Sequence, residues 1–367
     1  MLIFKGPRNQ LLLPLQAVCG IVEKRHTLPI LSNVLLEKNG KDITLLATDI
    51  EIQITAKTQT VEDGQAAITV GARKMQDILR SLPEPAEVTL SLDDKKLQLR
   101  AGKSRFNLQT LPAEDFPKMA RGEGQATTFS IPQKKLKQLL ALVQYAMAQQ
   151  DIRYYLNGLL LVTKENTLRV VTTDGHRLAY AAETLPEVPE SIEVILPRKT
   201  VLELSRQLTD GDDPIEITLT PTQARFVFDD TEFVSKLIDG KFPDYERVIP
   251  KNHEKIIKLK RELLIGSLQR VAILTNEKFR GVRLVLGDNS LKIMANNAEQ
   301  EEAQEELEID YAGEALDIGF NVTYLLDVLN NISQEEIELH LADAASSALF
   351  VLPGNETFKY VVMPMRI

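Results

Sequence analysis

The chain has 367 residues, 44% hydrophobic and 26% charged, with a formal net charge of −9 at pH 7. That length exceeds one ordinary domain and supplies core for two or three soluble ones. A single cysteine, Cys19, excludes an internal disulfide or a thiolate metal cluster and suits the reducing cytoplasm, and aromatics at 5% with no Trp argue against base-stacking platforms.

Lys5 and Arg8 precede an uncharged run, Leu11 to Val22, that superficially resembles a secretory signal. The run is too short to span a bilayer, and apolar residues at Leu11, Leu15, Val18 and Val22 step by three and four, which predicts an amphipathic helix. From Asn33 to Asp49 two short apolar strands flank Asn39-Gly40, a hairpin signature. Met75, Ile78, Leu79 and Leu82 predict a second helix, and Val88-Thr-Leu-Ser-Leu92 alternates like a half-buried strand.

The same order then returns twice. Leu136, Leu139, Leu140, Val143 and Met147 mark a helix, Asn157 to Asp174 a hairpin around Glu165-Asn166, Val201, Leu204 and Leu208 a second helix, and Ile215 to Leu219 a strand. Leu264, Leu268 and Val271 open the third copy, followed by a hairpin from Gly281 to Asn297 around Asp288-Asn289. Leu325, Val328, Leu329 and Ile332, then Ile337 to Leu341, close it. Asp49, Asp174 and Asn297 end equivalent strands and lie 125 and 123 residues apart. A helix that recurs deep inside the chain is expected to be a folded element and not a leader. The fold class expected is α+β: three repeated domains, 1–124, 125–251 and 252–367, each with two helices against antiparallel sheets, with linkers near 118–128 and 248–254.

An acidic total is the wrong sign for a protein that grips nucleic acid, so the placement of charge matters. The helix-bearing segments 8–25, 72–82, 132–150, 197–209 and 260–271 carry +2, +2, +3, +2 and +2, and 320–333 carries −1, which leaves −19 for everything else. Repeats joined head to tail close into a ring or run on as a filament. Two such chains would bring twelve helices into a circle on the order of 35 Å across, with a hole of about 25–30 Å that passes B-DNA. Basic helices lining that hole within an acidic shell would attract phosphates there and discourage binding elsewhere; the blander alternative is that lysines and arginines solvate exposed helix faces. Residues 299–310 hold seven acids and no base. They read either as a protected edge strand or as the complement of basic Lys74, Lys103 and Arg105, with Glu301 and Glu305 as the acidic partners.

Several runs carry a resemblance: Tyr154-Tyr-Leu-Asn-Gly158, Thr173-Asp-Gly-His-Arg-Leu-Ala179, Ser235-Lys-Leu-Ile-Asp-Gly-Lys-Phe-Pro-Asp-Tyr245, Asn276-Glu-Lys-Phe-Arg-Gly281 and Tyr360-Val-Val-Met-Pro-Met-Arg-Ile367. In these, and over its whole length, the chain resembles the bacterial β sliding clamps, the β subunits of DNA polymerase III. The resemblance implies a non-catalytic processivity factor, a head-to-tail homodimeric ring around double-stranded DNA. It also implies partners: the replicative polymerase α subunit, a clamp loader, and other polymerases and repair proteins that dock through a short peptide motif. It implies a pocket between the second and third domains formed by Leu156, Thr173, Gly175, His176, Arg177, Leu178, Pro243, Arg247 and Val248. Asn321, Tyr324, Ser347, Val361, Val362, Met363, Pro364, Met365 and Arg366 complete it, and adaptable methionines suit a surface with many partners. DNA contacts implied by the resemblance fall on Arg25, Arg73, Gln150, Tyr154 and Tyr155, and dimer-interface residues include Phe106, Leu108, Ile273 and Leu274.

Two rival readings remain. Asp174 and His176 could form an acid–base pair, but Asp174 has a counterpart in Asp49, which points to a turn role, and no phosphate loop or nucleophile elbow accompanies it. His26, His176, His253 and His340 are too dispersed for a local zinc motif, so no metal or cofactor is expected. A monomeric three-repeat scaffold that binds proteins only would keep the pocket and lose the ring.

Overall fold

The computed structural model describes residues 1–23, 28–93, 96–186 and 190–366. Arg25, one of the expected DNA contacts, and Ile367 lie outside the described residues. The helices are α1 (Arg8–Cys19), α2 (Ala72–Ser81), α3 (Gln133–Val143), α4 (Arg198–Gln207), the single turn α5 (Tyr245–Val248), α6 (Arg261–Ala272) and α7 (Val322–Asn331).

Among the described residues each repeat runs strand, helix, four strands, helix, three strands. The expected hairpins are present, but two further strands follow each of them before the second helix, such as Ile52–Gln59 and Gln65–Gly71 in the first repeat. One strand also precedes each first helix: Leu2–Pro7, Thr127–Pro132 and Lys255–Lys260. The hairpin turns have a local cause. Glu165 and Asn166 both adopt positive φ (53° and 56°), Gly40 sits at 63° and Asn289 at 50°, which is the twist that two-residue hairpin loops require.

By contacts the chain forms two compact units, residues 1–134 with 202–237, and residues 135–201 with 238–367. In the first, twelve strands make one sheet. There Ile52–Gln59, the fourth strand of the first repeat, runs antiparallel to Thr231–Lys236, the last of the second, with Ile52 opposite Ser235. In the second unit an eight-stranded sheet repeats the arrangement. Arg177–Thr184, the fourth strand of the second repeat, pairs with Asn355–Val362, the last of the third, with Arg177 opposite Val362. A separate four-stranded sheet holds Gly281–Gly287, Ser290–Asn296, Glu302–Glu308 and Leu316–Asn321.

The helices bury the faces their spacing predicts: Leu11, Leu15 and Val18 on α1, Leu264, Leu268 and Val271 on α6, and Leu325, Val328 and Leu329 on α7. α1 also contains Pro14, which has no N–H to give to the Gln10 carbonyl four residues back. Thr58 Oγ1 donates to that carbonyl instead, at 2.8 Å, so the helix continues past the proline. Among the described residues no helix is long and apolar enough to cross a membrane.

Candidate functional site

In the second unit a cavity of about 450 Å³ opens where four segments meet, one of them carrying Arg153, Tyr155 and Leu156. The strand end and corner Thr173–Leu178 form one side, the loop and turn from Phe242 to Val248 another, and Ser347, Val361 and Met363 the third. Leu178 and Val361 are cross-strand partners, so the register of the sheet fixes the apolar floor. That floor continues into a buried cluster of Leu156, Leu178, Phe242, Leu349 and Val361. Of the expected pocket residues, Leu156, Thr173, Gly175, His176, Arg177, Leu178, Pro243, Val248, Ser347, Val361 and Met363 line the cavity.

The corner is built by its own side chains. Asp174 Oδ1 accepts from the backbone N–H of His176 (2.9 Å) and Arg177 (3.1 Å), and Thr173 Oγ1 donates to the Arg177 carbonyl at 2.6 Å. Gly175 sits at φ +89°, and a Cβ there would lie 2.9 Å from Arg153 Nη1, so the corner requires glycine. The Asp174 carboxylate is thus used on the backbone turn and on Arg177 Nε, 3.1 Å away, which removes the basis for an Asp–His acid–base pair.

Arg177 organises the back of the pocket. Nη1 reaches Asp327 Oδ2 on α7 at 2.5 Å, Nη2 donates to the Tyr145 carbonyl at 2.8 Å, and the guanidinium lies 4.4 Å from the Tyr324 ring centroid. Burial by itself works against the cation, but the oxygens of Tyr360, Asp327 and Asp174 more than offset it and the Arg177 pKa rises. Burial also raises the Tyr145 and Tyr360 hydroxyls above the ordinary tyrosine range. Tyr360 Oη donates to the Tyr324 carbonyl at 2.9 Å. Tyr324 therefore supports the pocket through Arg177 without lining the cavity.

The remaining expected pocket residues are placed around it. Asn321 caps α7, accepting from Thr323 N at 2.9 Å. The Arg247 side chain is 87% exposed and pairs with Asp244. Val362 is buried in the sheet opposite Arg177. Beyond Met363, whose N–H donates to the His176 carbonyl, the C-terminal segment passes Pro364, and Met365 N–H donates to the Gly319 carbonyl. Met365 and Arg366 line a second cavity of about 330 Å³ with Asn276, Phe279 and Gly281. Sequence reasoning missed Arg153, Phe242 and Tyr245 as lining residues, and Tyr155, assigned by resemblance to DNA, lines this cavity as well. Phe242 and Tyr245 flank Pro243 within a quoted motif, a signal that was available; Arg153 reaches the site through the fold alone.

Among the other expected DNA contacts, Tyr154 is 57% exposed and packs edge-on against Tyr155, and Gln150 is exposed at φ 55°. Arg73 directs Nε and Nη2 to the Val22 carbonyl and so fastens the end of α1. Of the expected interface residues, Lys74, Lys103 and Arg105 are exposed, Phe106, Leu108 and Leu274 half-buried, and Ile273 is 77% exposed. The Glu301 and Glu305 side chains are engaged within their own repeat. Glu301 accepts from Asn297 Nδ2 at 2.6 Å, and Glu305 pairs with Arg270 on α6 at 2.7 Å.

Models of the N-terminal, central and C-terminal domains of the DNA polymerase III beta subunit match residues 2–120, 130–244 and 246–366. The chain belongs to this family. It is 50% identical to the beta sliding clamp of Pseudomonas putida over 99% of this chain and 100% of that one, and 46% identical to that of Escherichia coli over the same shares. A crystal structure of the Pseudomonas aeruginosa sliding clamp bound to griselimycin superposes with a TM-score of 0.97 at 47% identity over all of both chains. The Caulobacter crescentus pol III beta structure gives 0.92 at 40% identity over 99% of each. This family member is accordingly a three-domain processivity clamp of DNA polymerase III and not a catalytic subunit. Its pocket takes its lining from segments matched by the central and C-terminal domain models together.

Proposed function

We propose that the chain acts as a head-to-tail homodimer that closes around duplex DNA, slides without reading sequence, and receives the polymerase α subunit, the clamp loader and other replication and repair proteins at the pocket built on Arg177, Leu178 and Val361. Its three domains are taken as 1–124, 125–251 and 252–367. The DNA contacts are Arg73, Gln150, Tyr154 and Tyr155 together with the basic helices, and the compartment is the cytoplasm.

One observation carries this reading. At both internal junctions the fourth strand of a repeat pairs with the last strand of the next. That rule leaves two strands over: the last of the first repeat, Ser104–Pro112, and the fourth of the third, Glu302–Glu308. Among the described residues Glu302–Glu308 pairs only with Ser290–Asn296, and Ser104–Gln109 only with Lys96–Ala101. Open edges of this kind attract a further strand, and these two carry opposite charge. Joining them between two copies closes the chain head to tail at both ends.

Repeat equivalence also supplies a register. Ile52 and Glu301 occupy the same place, since Asp49 N–H donates to the Ile52 carbonyl as Asn297 N–H does to that of Glu301. Ser235 stands opposite Ile52, and counting from the hairpin ends Thr231 and Ser104 makes Leu108 its equivalent. Leu108 then faces Glu301 of the second copy, Phe106 faces Ala303 on the half-buried side, and Lys103 faces Glu306. Arg105 lies diagonally between Glu302 and Glu306, within reach of both. This register reassigns the acidic partners from Glu301 and Glu305, whose side chains are already engaged, to Glu302 and Glu306.

Native mass spectrometry tests the proposal: the expected species has twice the 41.2 kDa chain mass. Loaded onto circular duplex, it should remain bound until the circle is cut and then run off the ends. A protein that stays monomeric at micromolar concentration yet binds partner peptide would leave the scaffold reading in its place.

A further inference from the structure

Two arginines border the pocket, and neither presents an uncompensated charge. Arg153 makes a two-point contact with Asp151, through Nε at 3.0 Å and Nη2 at 2.8 Å. Arg177 lies between two carboxylates, Asp174 at 3.1 Å and Asp327 at 2.5 Å, with its side chain only 9% exposed. No carboxylate is among the described residues lining the cavity. Asp327 is not a lining residue either; it is the sole charged residue of α7, and it makes that helix segment negative where the other five are positive. Its charge is directed into the back of the pocket.

We propose that Asp327 is a specificity-determining residue of the peptide pocket: through Arg177 it fixes the guanidinium in place and cancels its charge, so that the pocket takes an uncharged apolar segment and gives no advantage to a carboxylate in the same position. This rests on the reading of the cavity as the site for partner peptides. The physics is that of a largely buried cation beside an apolar floor. With both carboxylates present the cluster sums to −1 and repels an incoming acid. With Asp327 neutral it sums to zero, and Arg177 regains an attraction for anions that water screens incompletely. Asp327 touches no peptide in this account and acts as a positioning and neutralising residue.

The test uses the full-length protein and a fluorescent peptide carrying the clamp-binding segment of a polymerase III α subunit, together with a set in which Glu replaces each residue of that segment in turn. Anisotropy titrations are run on wild type and on Asp327→Asn, whose amide oxygen can still accept from Arg177 Nη1. In wild type a peptide with Glu at an apolar position seated in the pocket is expected to bind far more weakly than the parent. In Asp327→Asn the parent affinity should change by less than about threefold, while the penalty at one or more positions falls roughly tenfold, and that gain should shrink in about 1 M salt. Asp327→Glu, which keeps the charge and shifts the oxygens, should retain wild-type selectivity even where it weakens binding, and it decides the matter if Asp327→Asn does not fold. An equal loss for all peptides, an unchanged Glu penalty in Asp327→Asn, or a gain for Glu peptides in Asp327→Glu would each overturn the inference. The pocket reading has its own control. The parent peptide must bind wild type and be lost in Met363→Asp at an exposed lining position; if it is not, the pocket assignment fails and the Asp327 role falls with it.

Discussion

Asp49 and Asp174 do the same work 125 residues apart. Asp49 Oδ1 accepts from the N–H groups of Glu51 (3.0 Å) and Ile52 (2.7 Å), just as Asp174 Oδ1 accepts from His176 (2.9 Å) and Arg177 (3.1 Å). The difference lies one step on, where Ile52 in the first repeat is replaced by Arg177 in the second. Alanine at either position should therefore lower stability by about 1–2 kcal/mol for the two backbone donors left unsatisfied, with a further loss at Asp174, where Arg177 Nε also loses its partner. Only Asp174→Ala should also weaken peptide binding, because it frees one side of the Arg177 guanidinium. Melting curves and peptide titrations on the two variants check this; equal effects on binding would remove the special role of the second corner.

Arg73 allows a structural role to be separated from the proposed DNA contact. Its guanidinium is fastened to the Val22 carbonyl through two nitrogens, so Arg73→Ala should cost about 1.5–3 kcal/mol of stability in addition to any loss of DNA affinity. Tyr154 is 57% exposed, and Tyr154→Ser should weaken DNA binding while stability stays within about 0.5 kcal/mol of wild type. Denaturant midpoints and DNA titrations at several salt concentrations distinguish the two. Equal midpoints would show that the Arg73 contact contributes nothing to the fold.

Much of this architecture is legible in the chain because repetition multiplies a weak signal. Leu11, Leu136 and Leu264 each fit many helices, but the same order of helix, hairpin, helix and strand three times over does not arise by chance, and all three side chains are buried. The strands that join one repeat to the next were not legible. Ile52–Gln59 alternates as a strand should, yet nothing local says that its neighbour is Thr231, since a pairing across more than 170 residues is set by the fold. Most of the residues that the resemblance implies for a peptide pocket line one cavity, whereas Arg153 and Asp327 become visible only when the corner at Gly175 and the face of α7 are brought together. The charge pattern was informative for a related reason: α7, the exceptional helix, uses its acid internally.

Asp151 gives a pH test of the pocket rim. Hydrogen bonds from the Arg153 side chain, and then from its backbone, lower the Asp151 pKa to about 2 from an ordinary value near 3.8. A carboxylate depressed in the folded state adds stability that is fully present above its unfolded pKa and is lost as pH falls through the folded one. The Asp151–Arg153 contact should therefore persist at neutral pH and give way between about pH 4 and pH 2. Carboxyl NMR titration should place Asp151 near 2 in the wild type and return it toward 3.8 in Arg153→Ala. A wild-type value already in the ordinary range would mean that the rim contact does not form in solution.

Cys19 is 3% exposed on the buried side of α1, and burial pushes its thiol up to about 12. Thiolate, not thiol, reacts with alkylating and disulfide reagents. The native protein should thus be inert to such reagents at pH 8 and take up one equivalent on unfolding. Stoichiometric labelling of the native state would show that the end of α1 opens readily.

The two leftover edges make the most demanding prediction. If Ser104–Gln109 of one copy pairs with Glu302–Glu308 of the other in the register set by the internal junctions, Arg105 meets Glu302 and Glu306 across the strands, and Glu305 remains with Arg270. Arg105→Glu should then raise the dimer dissociation constant by about tenfold or more, as several like charges are brought together at a partly covered edge. Glu302→Arg in the same chain should recover a good part of that loss, since each closing interface again pairs a base with an acid. Glu305→Arg should not, because it breaks the pair with Arg270, whose hydrogen bond holds the Glu305 carboxyl below its ordinary pKa. Sedimentation of the single and double variants over a concentration series reads all three. Recovery through Glu305 and not Glu302 would shift the register by an odd number of residues and place Phe106 on the solvent side, which its half-buried setting argues against.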